Sequence, residues 1–316
     1  MNSRYFPVLI EGLQVATVLL AAPLLAGWIR MLRCRAQGRR SAGILQPFRD
    51  LSKLFIKDTV LADNASWIFT SAPYVVFGAT VLAGAIIPII SVDLPLSETA
   101  DVIALVAIFA IARFFMALAG MDVGTAFGGM GASREMMVAS LAEPAMLMSV
   151  FTVSLVSRTT SLSHMAHAVM TGPVVLRPSL AFAFVSFVLL AIAETGRIPV
   201  DNPSTHLELT MIHEAMLLEY SGRRLALMEW ASMMKLFLFT SLGVALFFPW
   251  GIAGRDTVSM IPLAFLSLAI KLALTGVFIV AVEIRLAKMR VFRIPEFLGM
   301  AFLLATLGML SFFILE

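Results

Sequence analysis

Five acidic side chains and two histidines crowd into one stretch of this sequence, with a sixth acid just beyond. From Ala193 to Gly222 it reads AETGRIPVDNPSTHLELTMIHEAMLLEYSG. The acids are Glu194, Asp201, Glu208, Glu214 and Glu219, then Glu229; the histidines are His206 and His213. Glu194 ends a long apolar run that begins near Ser179. An ionised carboxylate at bilayer depth costs about 2.5–3.5 kcal/mol on insertion scales. Such a cluster requires cationic partners, water or a task. The chemistry open to it is proton exchange. Burial raises a carboxylate pKa by up to about 3–5 units and a neighbouring cation lowers it. A carboxyl group held between the two can take and release a proton near neutral pH.

The leading candidates are Glu208, Glu143 and Glu214, with Glu194 and Asp201 at the mouth and Glu219 further along. Glu143 stands before Pro144, which removes a helical hydrogen bond and clashes one turn back. Arg113, Arg134, Arg197, Lys235 and Lys271 are the candidate charge partners. Lys271 lies too deep in its apolar segment to snorkel easily, so pairing with an acid is expected for it. The plainer alternative for every one of these acids is a structural ion pair. Catalytic apparatus is not evident: the sequence shows no nucleophile–base pair and no phosphate cradle. The lone Cys34 cannot build an iron–sulfur or zinc site by itself, and the four histidines are not at ligand spacing with it. No metal, cofactor or nucleic acid is therefore assigned to the chain.

Several elements must position these groups. Pro199 and Pro203 fix the chain around residues 197–202, which reads as a strand-like break. A helix from about Ser204 to Tyr220 follows, with Thr205 and Glu208 at capping-box spacing and Gly222 as its terminator. On that helix Glu208 and Glu219, eleven residues apart, share nearly one face. His206, His213 and Tyr220 share another. Apolar residues fill the remainder, so the helix is expected to pack among others.

The rest of the chain supplies the setting. Of its 316 residues 60% are apolar and 14% charged, against about 25% charged in soluble domains, and the mean hydropathy is +0.94. The reading is an all-α, polytopic membrane protein, one integral domain over 1–316. Eight apolar segments are long enough to span: 7–29, 67–91, 102–121, 136–157, 178–195, 229–250, 258–282 and 294–315. Sixteen Lys and Arg residues fall on one side of this arrangement and four on the other, with three inside spans. By the positive-inside rule the sixteen are cytoplasmic and both termini lie outside. Between spans 3 and 4, five glycines between Gly120 and Gly131 predict an irregular, closely packed turn. In the first cytoplasmic connection Leu51, Leu54, Phe55 and Ile56 fall at helical spacing beside Lys53 and Lys57. That pattern suits a basic amphipathic helix on anionic lipid.

Three motif blocks carry a resemblance. The sequence Glu194-Thr195-Gly196-Arg197-Ile198-Pro199-Val200-Asp201, followed by Glu208, Glu214 and Glu219-Tyr220-Ser221-Gly222, resembles the signature of respiratory complex I membrane subunit 1. The same signature marks its homologues in formate hydrogenlyase and energy-converting nickel–iron hydrogenases. Residues 43–58, with Gln46, Asp50, Leu51 and Lys53, resemble the family's first cytoplasmic connection. The Gly131-Ala132-Ser133-Arg134-Glu135 block resembles the hydrogenase branch, and Arg39-Arg40-Ser41-Ala42-Gly43 departs from the Arg–x–Gly–Pro of quinone-linked relatives.

The resemblance implies a non-catalytic anchor in a bacterial inner membrane, beneath an iron–sulfur subunit and a nickel–iron-hydrogenase-like large subunit. Arg39, Arg40, Gln46, Asp50, Lys53 and Lys57 would dock that arm. Buried acids, Glu143 among them, would link its electron transfer to proton movement through antiporter-like subunits. The alternatives are a quinone-site subunit of a complex I-type enzyme and a stand-alone secondary transporter. Against the transporter, the two halves of the chain show no repeat.

Overall fold

The computed structural model describes residues 5–92, 94–98, 101–172, 177–201, 211–253, 260–287 and 289–315, and these are organised by α-helices. In chain order they are α1 (Tyr5–Ala36), α2 (Gln46–Ile56), α3 (Trp67–Ile86), α4 (Val102–Asp122), α5 (Ala126–Ser157), α6 (Leu162–Thr171), α7 (Pro178–Glu194), α8 (His213–Leu217), α9 (Gly222–Phe247), α10 (Ile261–Arg285) and α11 (Ile294–Leu315). Seven are long and apolar enough to cross a bilayer: α1, α3, α4, α5, α9, α10 and α11. The shorter α7, with 17 residues, is the eighth. At 1.5 Å per residue it reaches about 25 Å, short of a hydrocarbon core of about 30 Å. Its last residue, Glu194, therefore stays within the thickness of the bundle.

All eight expected spans are present, with shifted limits. The fourth starts at Ala126 rather than 136, because the glycine-rich segment is mostly helical and not an irregular turn. Thr125 caps α5 by accepting from the Gly128 N–H at 3.3 Å. The close packing expected of this segment is present: a Cβ on Gly128 would overlap the Gly120 carbonyl oxygen. Only glycine lets α4 and α5 approach so closely at their junction.

Loops gather on two faces. On the α2 face, Ser66 donates to Asp122 through its N–H (2.8 Å) and Oγ (2.7 Å). Val60 N–H donates to Ser221 Oγ at 2.8 Å, and Met289 N–H to the Pro199 carbonyl at 2.9 Å. On the opposite face Val92 N–H donates to Ala253 O (3.2 Å) and Ala253 N–H to Ile90 O (2.9 Å). Eight alternating crossings place the start of α1 and the end of α11 together, opposite α2.

In hydrocarbon, polar groups must find partners inside the bundle. Fully buried Gln14 does this for the end of α3: it donates to Gly84 O (2.9 Å) and Ile87 O (2.8 Å) and accepts from Ile89 N–H (3.2 Å). Ser149 Oγ donates to Ala183 O at 2.9 Å and Ser186 Oγ to Ala301 O at 2.7 Å. These small hydroxyl residues tie α5 to α7 and α7 to α11.

The stretch after α7 departs most from its sequence reading. Residues 195–200 form turns rather than a strand-like segment. The capping pair Thr205–Glu208 and His206 lie outside the described residues. Within them the expected helix is reduced to the five residues of α8. Gly222 opens α9 instead of closing the preceding helix. It has a φ of +54°, and a Cβ there would meet the Asp58 and Lys57 carbonyl oxygens at 2.7 and 2.8 Å. The chain thus turns sharply beneath the end of the α2 connection.

Helix α2 forms as expected and buries Pro47 and Leu51. Phe55 meets Trp230 of α9 edge-on, with ring centroids 6.2 Å apart. Ile56, expected on the same apolar face, is the last helical residue and is exposed, because the chain becomes extended at Lys57.

Candidate functional site

Arg113, near the middle of α4, is 5% exposed and meets three carboxylates. Its Nη1 donates to Glu143 Oε1 at 2.6 Å and its Nη2 to Glu194 Oε2. Its Nε faces Glu135 Oε1 at 3.5 Å, an ion pair without a hydrogen bond, and Nε has no other partner among the described residues. Lys235 of α9 reaches Glu194 Oε2 at 2.9 Å. Four helices thus converge: α4 and α9 bring the cations, α5 and α7 the acids. Helix α5 contributes Glu135 and Glu143 eight residues apart, a little over two turns. It continues through Pro144, whose missing N–H frees the Ser140 carbonyl from its helical bond.

The charge balance within this cluster decides its chemistry. Three carboxylates oppose two cations, so the fully ionised cluster carries one excess negative charge. Buried like charges disfavour joint ionisation. Glu194 and Glu135 are buried, whereas the Glu143 side chain is 36% exposed. Glu143 is therefore the most exposed of the three acids.

A cavity of about 580 Å³ opens beside the cluster, at the end of α7. Its wall includes Glu135, Glu194, Asp201, His213, Glu214, Glu229 and Lys235. Irregular backbone at this depth is tolerated because it lines such a cavity. Asp201 is buried and organises the wall: its Oδ2 accepts from the N–H groups of Ile212 (3.3 Å) and His213 (3.4 Å). Arg134 Nη1 holds the same chain from α5 by donating to Met211 O at 2.9 Å. Tyr220 stacks on Phe69 at 4.0 Å and donates its hydroxyl to the Phe69 carbonyl at 2.9 Å. Burial pushes the Tyr220 phenol well above its ordinary pKa, so it stays neutral.

The candidate residues from the sequence divide sharply. Glu143, Glu194, Arg113 and Lys235 form the cluster, and Asp201 and Glu214 line its chamber. Glu208 lies outside the described residues. Glu219 is exposed and stands apart from the chamber. Arg197 pairs elsewhere, with Glu283 of α10 at 3.3 Å, and Arg33 of α1 donates to the same carboxylate at 2.8 Å. Burial lowers the Arg197 pKa, opposed by Glu283 and aided by Arg33.

Among the described residues Lys271 meets backbone carbonyls rather than the acid expected for it. Its Nζ donates to the Phe248 carbonyl at 2.7 Å and to that of Trp250. A cation at a helix C-terminus is favoured by the helix dipole, and the carbonyls ending α9 supply that partner. Lys271 borders a second, apolar cavity of about 500 Å³ between α7, α9 and α10. On the α2 face Arg39, Arg40, Lys53 and Lys57 are exposed. Gln46 and Asp50 are instead bonded to each other at 2.7 Å, with Arg30 3.6 Å from Asp50.

Three residues of this architecture have no assigned role in the sequence reading. Glu135 falls there in a loop just before span 4; extending that helix one turn would show its spacing to Glu143. Glu283 falls just past the seventh expected span, 258–282, in a connection that also holds Arg285, Lys288, Arg290 and Arg293. His213 stands out by periodicity alone, yet it faces the chamber.

The comparisons agree with this architecture. A family described as NADH dehydrogenase matches residues 10–314. Formate hydrogenlyase subunit 4 of Escherichia coli is 33% identical over 305 residues, covering 96% of this chain and 98% of that protein. Hydrogenase-4 component C of the same organism is 32% identical, covering 93% and 92%. A subunit of the NADH-quinone oxidoreductase of Rickettsia bellii is 27% identical over 72% of this chain and 70% of its own. Among solved structures, a chain of the membrane-bound sulfane sulfur reductase, an archaeal respiratory membrane complex, superposes with a TM-score of 0.81. It is 18% identical and covers 96% of this chain and 98% of its own, a likeness of fold. The chain belongs to the NADH dehydrogenase family of complex I subunit 1-like membrane proteins.

Proposed function

We propose that the chain is the membrane-anchoring and proton-coupling subunit of a hydrogenase-like redox complex of the formate hydrogenlyase type. The observation that carries this reading is the cluster of three carboxylates around Arg113 and Lys235, one negative charge in excess beside a chamber. A charge change in a redox partner above the chamber would alter the cluster's proton affinity. Partly exposed Glu143 would then pass the proton sideways to an antiporter-like membrane subunit. The iron–sulfur and nickel–iron-hydrogenase-like subunits would sit on the α2 face. Near-complete coverage of the two hydrogenase-type relatives favours this branch over partial coverage of the quinone-linked one. One observation supports a quinone site as a second reading: about 580 Å³ is within the usual size of small-molecule pockets.

Orientation is tested through Cys34, the chain's single cysteine, at the α2 end of α1. With the α2 face cytoplasmic, an impermeant thiol reagent is expected to label Cys34 only after the membrane is permeabilised. Labelling in intact cells would reverse the orientation.

Docking is tested by reversing Arg39, Arg40, Lys53 and Lys57 to Glu. These side chains are exposed, so the insertion and folding of the chain are expected to persist. Like-charge contact should instead release the peripheral subunits, cutting their recovery with a tagged chain at least tenfold at low salt. Full retention of an iron–sulfur and hydrogenase-like arm would remove this surface from the interface. Absence of such subunits from wild-type preparations would overturn the hydrogenase reading itself.

A further inference from the structure

His213 is a chamber group outside the ion-pair network of the described residues. It begins α8 and lines the cavity together with Glu135, Glu194, Asp201, Glu214 and Lys235. Its backbone is fixed by Asp201, which accepts the His213 N–H. Its Nε2 is buried and has no hydrogen-bond partner among the described residues. A buried polar atom without a partner is uncommon and calls for an explanation. A packing histidine would normally have both nitrogens satisfied.

Charged groups approach it from each neighbouring element. Glu135 comes from α5, Lys235 from α9 and Asp201 from the turn after α7, and Glu214 shares the wall. Burial and Lys235 disfavour imidazolium, while Glu135 and Asp201 favour it. Burial prevails, and the pKa falls below its ordinary value of about 6.5. The imidazole is therefore neutral near pH 7, with a lone pair available and two carboxylates near enough to stabilise a transient cation.

We propose that His213 is the proton carrier of the chamber, taking a proton from the Glu135 side of the Arg113 cluster and delivering it to Asp201 or Glu214. In the first step a neutral carboxylic acid at Glu135 loses its O–H proton to an imidazole nitrogen, leaving carboxylate and imidazolium. In the second, imidazolium returns a proton to a carboxylate on the far wall and becomes neutral again. Charge is conserved in each step and no electron moves. The proposal rests on the coupling function given above and assigns it a residue.

The test uses the intact complex in sealed membrane vesicles, with redox turnover and proton movement measured together across a pH series. His213→Gln retains hydrogen bonding but cannot titrate; His213→Ala leaves room for exogenous imidazole. With assembly intact, both variants are expected to move protons at least tenfold more slowly. Imidazole should restore His213→Ala but not His213→Gln. Wild-type proton movement should fall as pH drops through the lowered histidine pKa, and the residual movement of His213→Gln should lack that acidic limb. Normal proton movement in His213→Gln alongside impaired movement in Glu143→Gln would overturn the carrier role and leave the coupling reading intact. Normal movement in both would overturn coupling as well. Failure of both histidine variants to assemble, or of imidazole to restore an assembled His213→Ala, would make His213 a packing residue and overturn the proposal.

Discussion

Replacing Arg113 by methionine is expected to empty the membrane of this chain. The guanidinium is buried and answers three carboxylates from two helices. Methionine approximates its volume and removes its charge. Glu194 would retain Lys235, while Glu135 and Glu143 would lose the cation they share. Breaking a buried ion pair by removing one partner costs about 3–5 kcal/mol. That is a large part of the roughly 5–15 kcal/mol that keeps a domain folded. A drop of at least tenfold in the chain recovered from membranes is the expected result, read by quantitative blotting with the partner subunits. Adding Glu135→Gln and Glu143→Gln to Arg113→Met should recover a substantial part, because the unpaired charges are then gone while Glu194 keeps Lys235. Wild-type levels in the single variant would show that the cluster does not hold α4, α5 and α7 together.

The sequence made much of this architecture legible for a simple reason. Long apolar runs have one solution in a bilayer, so the spans and the all-α class followed from hydropathy. The charges inside the spans were equally visible, since Arg113 and Glu143 each stand as the single charge of an apolar run and Lys235 shares its run with Glu229 alone. Their pairing was not visible. Which of five cations met which acid depended on helix rotation and crossing, and three-dimensional packing alone brought Arg113 to Glu143 thirty residues away. Lys271 shows the same limit. The cost of burying its charge implied an acid partner, but the exposed carbonyls at the end of α9 answered that cost equally well.

Glycine was the other source of error. Gly124, Gly128, Gly129 and Gly131 read locally as a loop, because glycine weakens isolated helices. In the bundle Gly128 permits the α4–α5 junction and Gly131 the close approach of Ile212 and α8, and contact with neighbouring elements outweighs propensity. The misplaced start of α5 then concealed Glu135 as a cluster member. After α7, the acids remained recognisable by type, but their roles diverged with position. Asp201 and Glu214 reached the chamber, whereas Glu219 faced outward.

The most direct test of the proton-coupling claim is Glu143→Gln. Glutamine keeps the oxygen that accepts from Arg113 and nearly the same shape, and the site is partly exposed, so assembly should persist. What disappears is the ability to bind and release a proton at the most exposed of the cluster acids. Glu219→Gln, an exposed acid outside the chamber, is the control. The decisive measurement is protons moved per redox turnover in sealed vesicles containing the assembled complex. The expected result is a fall of at least tenfold in proton movement for Glu143→Gln, with slowed or uncoupled electron transfer, and no change for Glu219→Gln. Assembled Glu143→Gln complex with wild-type turnover and wild-type proton movement would contradict it, leaving the Arg113 cluster a structural ion-pair network.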